Sequence, residues 1–133
     1  MRRIHLIVGA LLFIAFLFTG RLMRQDFPDK EIIDQEFRML MRSRHIYILF
    51  VSLINLCLGL YFAWGKQKLT RAFQIAGSAV LIASSAQLIW AFFAETYFTH
   101  HFSDTSRRGI YLALAGVGVH MIATLADRES KRN

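Results

Sequence analysis

One cysteine, Cys57, and one proline, Pro28, stand among 133 residues, and only 9 acidic side chains face 16 lysines and arginines. A lone thiol closes no intrachain disulfide, which excludes a disulfide-stapled scaffold and any thiol oxidoreductase that works through paired cysteines. Repeats, low-complexity tracts, a serine-type triad and a phosphate-cradling glycine loop are absent. Every Asp and Glu falls at or beyond the end of an apolar run, which argues against proton-driven transport, because that activity normally needs an acid within the hydrocarbon. The basic start Met1-Arg2-Arg3 would suit a secretory leader, but Leu17-Phe18-Thr19-Gly20 lacks the small residues that signal peptidase requires, so an uncleaved first helix is expected.

What is abundant is apolar length. Hydrophobic residues make up 55% of the chain and gather into four runs, about 4–23, 45–64, 71–94 and 109–126. About twenty such residues match one helical crossing of a ~30 Å hydrocarbon layer, and a helix pairs all of its own backbone groups where lipid offers no partner. The predicted fold is one all-α domain, an up-down-up-down bundle of four transmembrane helices with both termini on one side. Between the first two crossings Pro28 ends the first helix and Asp29 can cap a second, with Glu31 in its first turn. Ile32, Ile33, Phe37, Leu40 and Met41 then recur at helical spacing, giving an amphipathic extension of about 29–44 that runs into the second crossing. Glu95 to Arg108 reads as a polar loop.

A net charge of +7 would suggest nucleic acid in a soluble protein, but here the basic residues flank apolar runs, where they anchor helix ends and meet lipid phosphates. No nucleic-acid partner is expected. Positive residues split eight to eight across the membrane, and the terminal side packs them into shorter segments with two acids against seven. That asymmetry favours cytoplasmic termini in a bacterial-type inner membrane, while the tie leaves dual insertion open.

Helical phase separates inward from outward faces. His5, Gly9, Leu12, Phe16, Thr19 and Met23 share one face of the first crossing, and Gly109, Ala113, Gly116, His120, Ala123 and Asp127 share one face of the fourth. His5 and His120 are therefore inward, each with a glycine one turn away, and are candidate ligands of a b-type haem, or of a quinone, despite an expected depth offset of roughly 7 Å. In the third crossing Ala72, Ala76, Ala79, Ala83, Ala86 and Ala94 line one face, and Gln74, Ser78 and Ser85 the opposite one, so protein is expected on both sides. The second crossing carries the track Arg38, Arg42, His45, Ser52, Asn55 and Gly59, with Ser52 and Asn55 expected to bond across to Ser84, Ser85 or Gln87. Arg38, Arg42, Arg44 and His45 form a candidate site for an anionic ligand or lipid headgroup, since the arginine fork suits phosphate and carboxylate. Glu95, His100, His101 and Asp104 lack the compact spacing of a metal site, and none is assigned.

Four short helices with weak orientation bias resemble the small multidrug-resistance transporters, but that family's first-helix glutamate is replaced here by His5 alone. Glu36, Arg38, Arg42 and His45 resemble the basic run opening the second helix of the membrane-associated glutathione and eicosanoid enzymes. That resemblance implies a lipid- or glutathione-directed activity using Arg42, Arg44 and His45, although Tyr47, Ile48, Leu49 and Phe50 stand where the family places asparagine and glutamate. Four-helix haem proteins share the inward histidines without the second pair a diheme site needs. With no assembled catalytic set, the reading adopted is a small membrane protein without an active site of its own. It would work as a homo-oligomer or as an accessory subunit of a larger complex, with membrane lipids as its other partners.

Overall fold

A computed structural model describes residues 1–28, 33–99 and 104–129. These form four helices: α1 (Arg2–Asp26), α2 (Gln35–Tyr61), α3 (Lys68–Phe93) and α4 (Asp104–Glu129), with a π-helical segment, Ala94–Thr99, continuing α3. All four are long and apolar enough to cross a bilayer, and the described residues contain no strand. The chain is an integral membrane protein with an all-α, four-helix fold.

The helix ends follow local chemistry. The Phe27 N–H closes the last turn of α1 on the Met23 carbonyl, and Arg24 in that turn has the sign the helix dipole favours. Pro28 follows, as expected of a residue that cannot continue the ladder. The cap of α2 is Asp34, whose carboxylate accepts the Glu36 N–H at 3.0 Å. It replaces the predicted cap at Asp29, which lies outside the described residues with Lys30, Glu31 and Ile32. At 27 residues α2 is about 40 Å long, so its first turns project beyond the hydrocarbon as the amphipathic pattern implies.

The predicted Glu95–Arg108 loop needs correction. Glu95 to Thr99 extend the third helix in π geometry, and α4 begins at Asp104 rather than near Gly109. The physical reason is that Glu95 finds polar partners inside the bundle, so continuing the helix inward is no longer prohibitive.

Packing makes two antiparallel pairs, α1 with α2 and α3 with α4, joined chiefly where α2 meets α3. Lipid supplies no hydrophobic force between helices, so close backbone approach and interhelical hydrogen bonds must do the joining. A Cβ built on Gly9 would sit 2.8 Å from the Leu56 backbone nitrogen, and one built on either Gly77 or Gly116 would sit 2.9 Å from the other's carbonyl oxygen. Only glycine fits at these crossings. Between the pairs lies a core of Leu12, Ile48, Val51, Leu81, Leu88, Phe92 and Ala113. The outer face of α1 presents Ile7, Leu11, Ile14, Leu17 and Phe18 to lipid.

Candidate functional site

The inward stripes bring His5 (α1), Asn55 (α2), Ser78 (α3) and His120 (α4) into one buried cluster, with His5, Asn55 and Ser78 all at 0% exposure. Hydrogen-bond logic fixes its directions. Asn55 Nδ2 donates to the Val51 carbonyl at 2.8 Å and to Ser85 Oγ at 3.3 Å, leaving Oδ1 as the acceptor facing His5 Nδ1 at 2.8 Å. Neutral His5 therefore carries its proton on Nδ1, and its Nε2 accepts from Ser78 Oγ at 2.9 Å. With its hydrogen committed, Ser78 Oγ is the acceptor toward His120 Nε2 at 3.0 Å, which places the neutral His120 proton on Nε2. All four helices are linked by this one relay.

The two imidazoles face each other edge-on, with their centroids 6.0 Å apart. Gly9 and Gly116 do not open room for a macrocycle, because their missing side chains are replaced by Leu56, Gly77 and Leu81 of the neighbouring helices. Both Nε2 atoms converge on Ser78 Oγ. Haem ligation by His5 and His120 would require those bonds to break and Ser78 to move aside.

The other polar residues divide between helices. Ser52 Oγ donates to the Gly9 carbonyl at 2.8 Å, pinning α2 to α1 rather than to α3. Ser85 meets Asn55 as expected, Gln87 Nε2 reaches the Thr105 carbonyl on α4 at 3.0 Å, and Ser84 bonds only the Leu81 carbonyl of its own helix. Asn55→Leu is expected to lower stability by about 1–3 kcal/mol, because it strands the buried His5 N–H. Ser84→Ala, which breaks no interhelical bond, should shift it by under about 0.5 kcal/mol. Thermal unfolding of both variants in mild detergent checks the contrast.

At the opposite end, the predicted basic cluster separates. Arg44 is turned inward at 1% exposure, where its guanidinium pairs with Glu95, and Nη1 donates to the Leu40 carbonyl at 3.2 Å. Glu95 also accepts from Ser106, from the backbone N–H at 3.1 Å and the hydroxyl at 2.8 Å, so one carboxylate ties the π segment to α2 and α4. His45 stacks on Phe16 at 4.1 Å between centroids and its Nδ1 lies 3.0 Å from Thr19 Oγ1 of α1. Arg38 and Arg42 instead line a cavity of about 550 Å³ with Arg24 of α1, above Met23, Phe27 and Met41.

Residues two apart on a helix point about 200° apart, which is why Arg42 and Arg44 part company. The phase of Arg44 matches the buried Leu40, Ile48 and Val51, a signal present in the sequence. Arg24 and Glu95 were missed as site residues, the first because it belongs to another helix and the second because it read as loop. Of the candidate metal donors, Glu95 is held by Arg44 and Ser106, Asp104 pairs with Arg107 at 2.7 Å, and His100 and His101 lie outside the described residues. No set of three metal-ligating side chains occurs among the described residues.

Compared with protein-family models, with curated proteins and with solved structures, the chain matches none of them.

Proposed function

We propose that this protein is a packing subunit of a bacterial inner membrane, with cytoplasmic termini, that works by associating with a second copy or with a larger membrane complex. The observation that carries this reading is the alanine face of α3. Ala72, Ala76, Ala79, Ala83 and Ala86 all remain exposed, uncovered by the chain's own helices, while the opposite face of α3 is buried through Gln74, Ser78 and Ser85. A smooth face of methyl groups lets two membrane helices approach closely and gain dispersion contacts that lipid tails do not match. The polar groups of the interior support the same reading, since the His5–Asn55–Ser78–His120 relay and the Arg44–Glu95–Ser106 cluster hold helices to one another.

The test uses the full chain with Cys57→Ala and Ala79→Cys in nanodiscs. A covalent dimer forms on mild oxidation, native mass measurement of the unaltered protein gives a multimer, and Ala83→Trp abolishes both. A monomer throughout, with no crosslink at any dilution, overturns self-association as the mode of action.

A further inference from the structure

Near the terminal side of the bundle, a groove of about 480 Å³ opens between the end of α2 and α4. Its walls are apolar and aromatic, with Tyr61, Phe62 and Trp64 on one side and Val117, Met121 and Leu125 on the other. Phe62 and Trp64 meet edge to face at 4.9 Å, and Phe62 stands edge-on to His120 at 5.8 Å. Apart from Tyr61, which is 84% exposed, and His120, the polar side chains lining the groove are already held by protein. Gln74 accepts from the Gly65 N–H and donates to the Ala63 carbonyl, both at 3.0 Å; Thr124 donates to the His120 carbonyl; and Asp127 accepts the Lys66 N–H at 2.8 Å.

His120 differs from them. It is 94% buried by its 6% exposure, it lines the groove, and its Nδ1 has no protein partner among the described residues. The Cδ2 edge of its ring lies toward Gly77 of α3, within 3.1 Å of a Cβ built there, so the Nδ1 edge is turned away from that helix. The relay through Ser78, His5 and Asn55 holds the proton on Nε2, which leaves Nδ1 as a bare lone pair. That lone pair is accessible rather than sealed within the protein, so a donor that enters the groove can reach it.

We infer that this groove binds a lipid-soluble phenol or hydroquinone, whose ring packs among Phe62, Trp64 and Met121 and whose O–H donates to His120 Nδ1. A flat ring suits an aromatic collar at the membrane interface, and a pocket of this size accepts a substituted ring with the first part of a tail. A single acceptor at the end of an apolar slot selects for a hydroxyl and against the same ring with its oxygen capped. The inference concerns binding alone and is independent of the association proposed for the alanine face.

The experiment uses the full chain in nanodiscs with Trp90→Phe, so that Trp64 is the only tryptophan. Trimethylhydroquinone, kept reduced, is titrated against Trp64 emission at about pH 8, where unperturbed imidazole is neutral; its dimethyl ether and empty nanodiscs serve as controls. The expected result is saturable quenching by the hydroquinone at least tenfold tighter than by the ether. Val117→Trp read by ¹⁵N-histidine NMR, and Met121→Trp read by displacement of radiolabelled hydroquinone, fill the groove without touching the relay. In Val117→Trp the Nδ1 resonance should no longer respond to the hydroquinone, and in Met121→Trp binding should fall at least tenfold. Equal affinity for hydroquinone and ether, quenching that tracks partition into empty nanodiscs, or binding unchanged in both groove-filled variants overturns the assignment.

Discussion

Glu95→Ala is expected to lower the unfolding free energy in mild detergent by about 3–5 kcal/mol, among the largest effects of any single change in the chain. The carboxylate sits at 1% exposure against an equally buried Arg44 and takes two further hydrogen bonds from Ser106. Removing it leaves a guanidinium without its counter-charge and a serine without its acceptor, in a medium where water cannot substitute. The cost is that of the orphaned charge more than of the lost attraction. The double variant Arg44→Met with Glu95→Gln should therefore recover most of the loss, because it removes the cation and keeps an oxygen for Ser106. Glu95→Gln alone should fall between. Reversible unfolding by steric trapping measures all three, and a cost below about 1 kcal/mol for Glu95→Ala would show that the pair is not a structural clasp.

Adding one methyl group at Gly77 or Gly116 is the second large perturbation. The new Cβ would lie 2.9 Å from a backbone carbonyl oxygen of the facing helix, and a backbone cannot rotate aside as a side chain can. The α3–α4 pair must separate by some tenths of an ångström, pulling Ser78 and His120 apart. Gly77→Ala and Gly116→Ala should each cost about 1–3 kcal/mol. Gly118 supplies the internal control. It lies on the same helix as Gly116, but a Cβ there meets nothing within 4 Å, so Gly118→Ala should be neutral or should stabilise by up to about 1 kcal/mol through helix propensity. Melting temperatures of the three variants, measured side by side, decide the matter. Equal behaviour at 116 and 118 would remove close approach as the reason for glycine.

The four spanning rods were legible because apolar length is a property of composition, and the inward faces were legible because three- and four-residue steps put His5 beside Gly9 and His120 beside Gly116. Asn55 could be assigned to the interior on cost alone, and Ser85 was among its anticipated partners. Partnership was harder to read than direction. Ser52 turned to the Gly9 carbonyl, a group every residue possesses and no sequence pattern marks. His5 and His120 were inward as expected, but nothing in the sequence places Ser78 between them as a shared partner. The fate of Arg44 was written in its phase with Leu40 and Ile48, and was obscured by grouping it with Arg42 because the two are near in sequence. Glu95 was the hidden residue. A carboxylate following an apolar run reads as the start of a loop unless the arginine waiting for it is known, and that arginine lies 51 positions earlier.

That separation has a consequence for biogenesis. Arg44 enters the membrane with the first pair of helices, whereas its counter-ion arrives only after the third has been threaded. Until then Glu95 is not beside it, and the long aliphatic stem of an arginine lets its head reach toward the interface. In the finished bundle both groups are buried, each at 1% exposure. The ion pair therefore forms only once both the second helix and the end of the third are in place, joining the two halves of the chain at that end.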